Sequence, residues 1–129
     1  MSARRPCRQC GKNRTPRFFV SERGRICLTC QTKTRRTSKR AGYVTRTYSL
    51  TTAQHAALLA HQSGVCAICG GARKYALNVD HDHATGKVRG LLCRRCNKLL
   101  AAARDDVELL VDAANYLRWP PMESIREVS

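Results

Sequence analysis

Acidic side chains are scarce in this 129-residue chain: 9 Asp and Glu stand against 24 Lys and Arg, a formal net charge of +15. That imbalance is foreign to an ordinary globular metabolic enzyme and calls for a polyanionic partner. Aromatic residues make up only 5% of the chain, which argues against the stacking surfaces that single-stranded RNA binders use. No apolar run approaches the roughly 18–20 residues that span a bilayer, so no membrane segment is predicted. The first six residues are polar and do not read as a secretory signal, so a cytoplasmic protein is expected. The length suits one ordinary domain or two very small ones that could not each bury a self-sufficient apolar core. Something other than hydrophobic burial should therefore help to hold the chain together.

The charge is uneven along the chain. Residues 1–49 hold 14 of the basic side chains and one acid, Glu22, a net of +13, whereas residues 50–129 hold 10 bases and 8 acids, a net of +2. Eight cysteines fall into four Cys-x-x-Cys steps. Secreted disulfide scaffolds space their cysteines irregularly, so these thiols are read as metal ligands. Cys7/Cys10 and Cys27/Cys30 are separated by 16 residues with Gly11, Pro16 and Gly24 as punctuation, the layout of a zinc ribbon. Cys66/Cys69 and Cys93/Cys96 enclose 23 residues and form a second four-thiolate set. The two sets differ too much in loop content to read as an internal repeat.

Between these sets, residues 31–46 contain no acid and almost no apolar periodicity, which predicts an extended or disordered linker able to lie along phosphates. An Ala/Leu-rich stretch at 53–62 reads as a helix ended by Gly64. Residues 75–80 and 87–92 read as two short strands, and 96–104 as a helix. A last helix follows from Val107, Leu110, Val111, Ala114 and Leu117, with Asp105 and Asp106 at its positive end and Pro120-Pro121 as its stop. Its apolar stripe is expected to face the core of its own domain rather than to form a dimer seam. The expected division is a basic zinc ribbon at 1–30, a basic flexible linker at 31–46, a second domain with structural zinc at 47–119 and a tail at 120–129.

The second thiolate set frames Asp80-His81-Asp82-His83 and is followed at once by Asn97. Cysteine sulfur suits Zn²⁺, whereas a carboxylate and an amide oxygen suit Mg²⁺. Asp80 at the end of one strand and Asn97 in the first turn of the next helix can converge on one hard ion. His81 is expected on the opposite side of the strand from Asp80, free to take a proton from water near neutral pH. Asp82 is expected to face away from the metal or to orient a histidine.

Asp80-His81-Asp82-His83, Thr85-Gly86-x-Val88-Arg89-Gly90-Leu91-Leu92-Cys93-x-x-Cys96-Asn97 and the upstream Gly64-Val65-Cys66-Ala67-Ile68-Cys69-Gly70 together resemble the recombination endonuclease VII family of HNH (His-Me finger) nucleases. The resemblance covers roughly residues 43–118. It implies an α+β fold, a small zinc-bound ββα-metal nuclease domain with flanking helices, here preceded by a zinc ribbon. It also implies DNA phosphodiester cleavage, with His81 as general base, His83 assisting near the scissile phosphate, and Asp80 and Asn97 holding a catalytic Mg²⁺ that Mn²⁺ can replace. One structural Zn²⁺ would sit on Cys66, Cys69, Cys93 and Cys96; the N-terminal quartet lies outside the family core, and its spacing alone puts a second Zn²⁺ on Cys7, Cys10, Cys27 and Cys30. The candidate DNA contacts are Lys33, Arg35, Arg36, Lys39 and Arg40 in the linker and Lys87, Arg89, Arg94 and Arg95 beside the site. DNA is the expected partner, with a homodimer and phage DNA-processing or packaging proteins as further candidates and the host cytoplasm as the setting. The competing reading is a zinc-dependent DNA-binding or regulatory protein without catalysis.

Overall fold

Residues 3–126 are described in the computed structural model, in which the chain separates into two units between Thr52 and Ala53. In the first, β1 (Arg5–Pro6) and β2 (Asn13–Arg14) pair antiparallel. The turn between them carries Cys7 and Cys10 and closes with the Gly11 amide donating to the Cys7 carbonyl at 2.8 Å. Gly11 adopts φ +70° there, where a β-carbon would be strained. After a 3₁₀ turn at Pro16–Phe18, Phe19 bridges to Cys27, which caps α1 (Leu28–Tyr48). Cys7, Phe19, Cys27 and Cys30 form the core, with Phe18 packed against it.

The stretch 31–46 is thus helical, where an extended or disordered linker was expected. Starting a helix is the costly step, and the cysteine cluster fixes its first turn through Cys27 and Cys30. From 28 to 41 no Gly or Pro interrupts, and Lys, Arg and Gln extend a helix at little cost. Apolar periodicity misses it because only Cys30 and Val44 are buried along its 21 residues.

The second unit contains α2 (Thr52–His61, the helix that crosses the division), β3 (Asn78–His81), β4 (Val88–Leu92), α3 (Arg94–Ala102), α4 (Val107–Arg118) and α5 (Pro121–Arg126). β3 and β4 pair antiparallel as Asn78↔Leu92, Val79↔Leu91 and Asp80↔Gly90, then slip to His81↔Val88. Arg89 is the extra residue of that bulge. α3 packs on both strands. Leu77, Val79, Leu91 and Leu92 form the apolar core beside the buried cysteines of this unit. Gln62 behaves like a third strand: its side chain donates to the Leu91 carbonyl at 2.8 Å and accepts from the Leu91 amide at 2.9 Å. Gly90 leaves room for it, since a β-carbon there would stand 3.3 Å from Gln62 Oε1.

The stripe expected to form core on α4 is not buried. Val107, Val111 and Leu117 are exposed, Leu117 by 80%, and α4 has no buried residue. A two-stranded sheet with one helix on it leaves too little surface to cover a fourth element. Past Pro120, where little structure was expected, Pro121 opens α5 as its first residue, the place where a missing amide costs nothing. No described helix is long and apolar enough to cross a membrane.

Candidate functional site

The eight thiols gather into two groups, Cys7, Cys10, Cys27 and Cys30, and Cys66, Cys69, Cys93 and Cys96, with the sulfurs of each group within 4.8 Å of one another. None forms a disulfide. Cys7–Cys30, Cys10–Cys27 and Cys69–Cys93 sulfur separations are 3.9, 4.0 and 3.9 Å. A tetrahedron with Zn–S bonds of about 2.3 Å has sulfur–sulfur edges of about 3.8 Å, so both groups could hold zinc. Each mixes thiols already inclined to ionise with thiols that resist it. The Cys27 amide holds Cys7 down at about 6, and the Cys96 amide holds Cys93 down at about 6. Burial pushes Cys30 and Cys96 up to about 12. Arg73 Nη2 lies 3.5 Å from Cys69 Sγ and 3.8 Å from Cys93 Sγ, where its charge offsets that of the thiolates. That role of Arg73 had no spacing signal in the sequence.

The second clamp seats α3 on the strands and so fixes the groups around β3. Asp80, near the end of β3, is 6% exposed, the one buried charged residue among those described. Arg89 grips it with a fork: Nε donates to Oδ2 at 2.7 Å and Nη2 to Oδ1 at 3.1 Å. The bulge that makes Arg89 an extra residue accompanies this reach. The same Nη2 donates to Asp105 Oδ1 at 2.8 Å, and Asp105 Oδ2 meets His83 Nδ1 at 2.8 Å. The rings of His81 and His83 stand 4.8 Å apart. One connected set therefore runs Asp80, Arg89, Asp105, His83, with His81 alongside. Asn97 is half-buried in the first turn of α3.

The charges in this set support one another. Asp80 and Asp105 raise the Arg89 guanidinium above its ordinary range. His83 and then Arg89 hold the Asp105 carboxyl below the usual carboxylate range. Asp82 is occupied elsewhere: its Oδ1 accepts from the Ala84 and Thr85 amides, each at 2.8 Å, and these bonds lower its pKa. It braces the loop, and it is Asp105, read in the sequence as a helix-end charge and not as a partner of the site, that contacts a histidine.

The remaining basic candidates differ in setting. Lys33, Arg35, Arg36, Lys39 and Arg40 are all exposed along α1, and Lys87 and Arg95 are exposed in the second unit. Arg94 lies over the Tyr75 ring at 4.5 Å. Arg89, expected against phosphate, is committed to two carboxylates.

The sequence matches the Recombination endonuclease VII family over residues 41–119. Two curated relatives, each named Gene 59 protein, come from Mycobacterium phages D29 and L5. They are 40% and 38% identical over 126 and 125 residues, and each alignment covers 92% of this chain and 76% of the relative. Among solved structures, the ββα-Me type II restriction endonuclease Hpy99I aligns with 90% of this chain at a TM-score of 0.38 and 21% identity, and this chain spans 65% of that one. The family match takes in the second cysteine clamp, both strands of β3–β4, α3 and α4 together, and this chain belongs to the recombination endonuclease VII family.

Proposed function

We propose that this chain is a divalent-metal-dependent DNA endonuclease, acting on phage DNA in recombination or packaging within the host cytoplasm. The observation that carries the reading is the buried Asp80 carboxylate linked through Arg89 and Asp105 to His83, whose ring stands 4.8 Å from that of His81, inside a strand–strand–helix unit clamped by four cysteines.

The donor set fits a hard cation. An ionised carboxylate has about four acceptor positions, and the Arg89 fork takes one on each oxygen, so both keep capacity. Asp80 and Asn97 would hold the ion, by a carboxylate and an amide oxygen of the kind Mg²⁺ prefers. When bound, the cation stabilises the charge that develops on the phosphate and the leaving 3′ oxygen. His81 takes the proton of the attacking water as the new phosphorus–oxygen bond forms and the bond to the 3′ oxygen breaks. His83 assists at the scissile phosphate. Lys87 and Arg95 hold the flanking phosphates.

The exposed cations of α1 supply affinity that does not depend on sequence. At about 1.5 Å per residue the helix is about 31 Å long, and Lys33, Arg36 and Arg40 follow one line along it while Arg35 and Lys39 follow another. Each phosphate contact adds roughly 0.9 to the slope of log affinity against log salt. Neutralising all five should flatten that slope by up to about 4.5; an unchanged slope in a binding titration would remove α1 from the interface.

A second reading is zinc-dependent DNA binding without cleavage, and it draws on the Arg89 fork that already neutralises Asp80. Cleavage of supercoiled plasmid and of a four-way junction, with Mg²⁺ or with EDTA, separates the two. We expect metal-dependent cutting that falls by about 100-fold or more in His81→Ala. A zinc-loaded, DNA-binding wild type that cuts neither substrate establishes the second reading instead.

A further inference from the structure

We infer that Asp105 is a positioning residue: it fixes the His83 imidazole and, through Arg89, the Asp80 carboxylate. The inference rests on the nuclease reading above and deepens it by naming what holds the reacting groups in register. One carboxylate ties three separate segments together, the loop after β3 through His83, the β4 bulge through Arg89, and the turn after α3 that carries Asp105 itself. Arg89 passes the constraint on to Asp80 with its two remaining bonds.

The needs of α4 do not explain this arrangement. Asp106 is the cap of that helix, its Oδ1 accepting from the Leu109 amide at 3.0 Å, so Asp105 is not required there. Arg104 and Asp105 both adopt positive φ, 54° and 59°, which L-residues avoid in succession. Asp82 lies nearer to both histidines in sequence, yet it is held by its own loop amides. A hollow of about 270 Å³ lined by His83, Ala101, Arg104 and Asp105 opens beside the ring and leaves room for a substrate group.

The chemical consequence lies in the ring. A neutral imidazole whose Nδ1 faces a carboxylate carries its proton there and presents Nε2 as an acceptor. Asp105 thus sets which nitrogen of His83 meets the scissile phosphate and its waters, while Arg89 keeps Asp80 from turning away.

The test uses the full zinc-loaded chain and an Asp105→Gly variant, because glycine accepts φ 59° without strain and removes only the carboxylate. Imidazole nitrogen NMR without DNA should find His83 protonated on Nδ1 in the wild type and predominantly on Nε2 in the variant, at equal zinc content. With Mg²⁺ and plasmid, kcat should fall by about 10- to 100-fold in the variant while KM changes by less than about 2-fold. Asp105→Glu, which restores a carboxylate, should recover part of both signals. An unchanged His83 tautomer in Asp105→Gly, or an unchanged kcat beside a cleaving wild type, overturns this proposal alone. A wild type that cleaves nothing overturns the nuclease reading and this proposal with it.

Discussion

The two cysteine clamps are built alike and enclose different things. In each, a Cys-x-x-Cys-Gly turn closes when the glycine amide donates to the first cysteine carbonyl, Gly11 to Cys7 at 2.8 Å and Gly70 to Cys66 at 2.9 Å. Both glycines adopt positive φ, 70° and 62°. In each, the second pair starts a helix, with Cys27 capping α1 and Cys93 capping α3. Burial raises the last cysteine of each, Cys30 and Cys96, to about 12, whereas the thiol held near 6 is the first of its set in one clamp, Cys7, and the third in the other, Cys93. The loops share nothing comparable. The first clamp encloses Phe19 and launches a cationic helix, while the second encloses an apolar hairpin and the acid–histidine set. The clamp is a fixing device, and the residues it fixes decide the chemistry.

The largest expected difference between them is in dependence on metal. A structural zinc contributes roughly 10–16 kcal/mol, whereas burying Phe19 contributes about 1.5–3 kcal/mol. Cys27→Ser should therefore unfold the first unit, with loss of the α1 circular dichroism and amide signals. Cys93→Ser should release zinc yet leave residual amide protection in β3 and β4, because Leu77, Val79, Leu91 and Leu92 still cluster. Survival of α1 after zinc removal would show that the helix does not depend on its clamp.

A smaller effect probes the shared acidities. In the metal-free protein Cys30 and Cys96, near 12, keep their protons at neutral pH, so zinc must displace them and affinity falls as pH falls. Cys7 and Cys93 remain thiolates until pH drops through about 6, below which each adds a further proton to displace. Competition with a chromogenic chelator from pH 8 to 5 should show a slope that steepens near pH 6 at both sites. A slope that steepens at one site alone would break the equivalence of the two clamps, and a uniform slope at both would refute the lowered pKa of Cys7 and Cys93.

The smallest effect belongs to the second unit alone. Gln62→Ala removes the acceptor of the buried Leu91 amide, while the Leu91 carbonyl keeps the bond it accepts from the Ala67 amide at 3.2 Å. The cost should be about 1–3 kcal/mol in denaturant unfolding of that unit. An unchanged midpoint would mean that the hairpin does not need this third edge.

Much of the molecule was legible from spacing. The four Cys-x-x-Cys steps imply the two thiol groups, and the order of strand, strand and helix around Asp80, His81 and Asn97 follows from local pattern. α1 was not legible, because its start is set by the cysteine cluster and its exposed faces carry no apolar period. The α4 stripe was legible as a helix but not as an exposed one, since exposure depends on how little of the unit is left to cover it. Arg89 showed the same limit: close in sequence to Asp80-His81-Asp82-His83 its charge suggests DNA, and only the fold, with its bulge at Asp80/His81, reveals a carboxylate partner.

The sequence by itself determined which cysteines group to bind metal, where β3, β4 and the helices α2 to α4 fall in the second unit, and the family, because each is written in spacings of a few residues. Tertiary structure decided which groups work together. Asp80 meets Arg89 across 9 positions, His83 meets Asp105 across 22, and Gln62 meets Leu91 across 29. The first two pairings go with a strand bulge and with two residues at positive φ, Arg104 and Asp105, and such backbone features leave no period in the sequence.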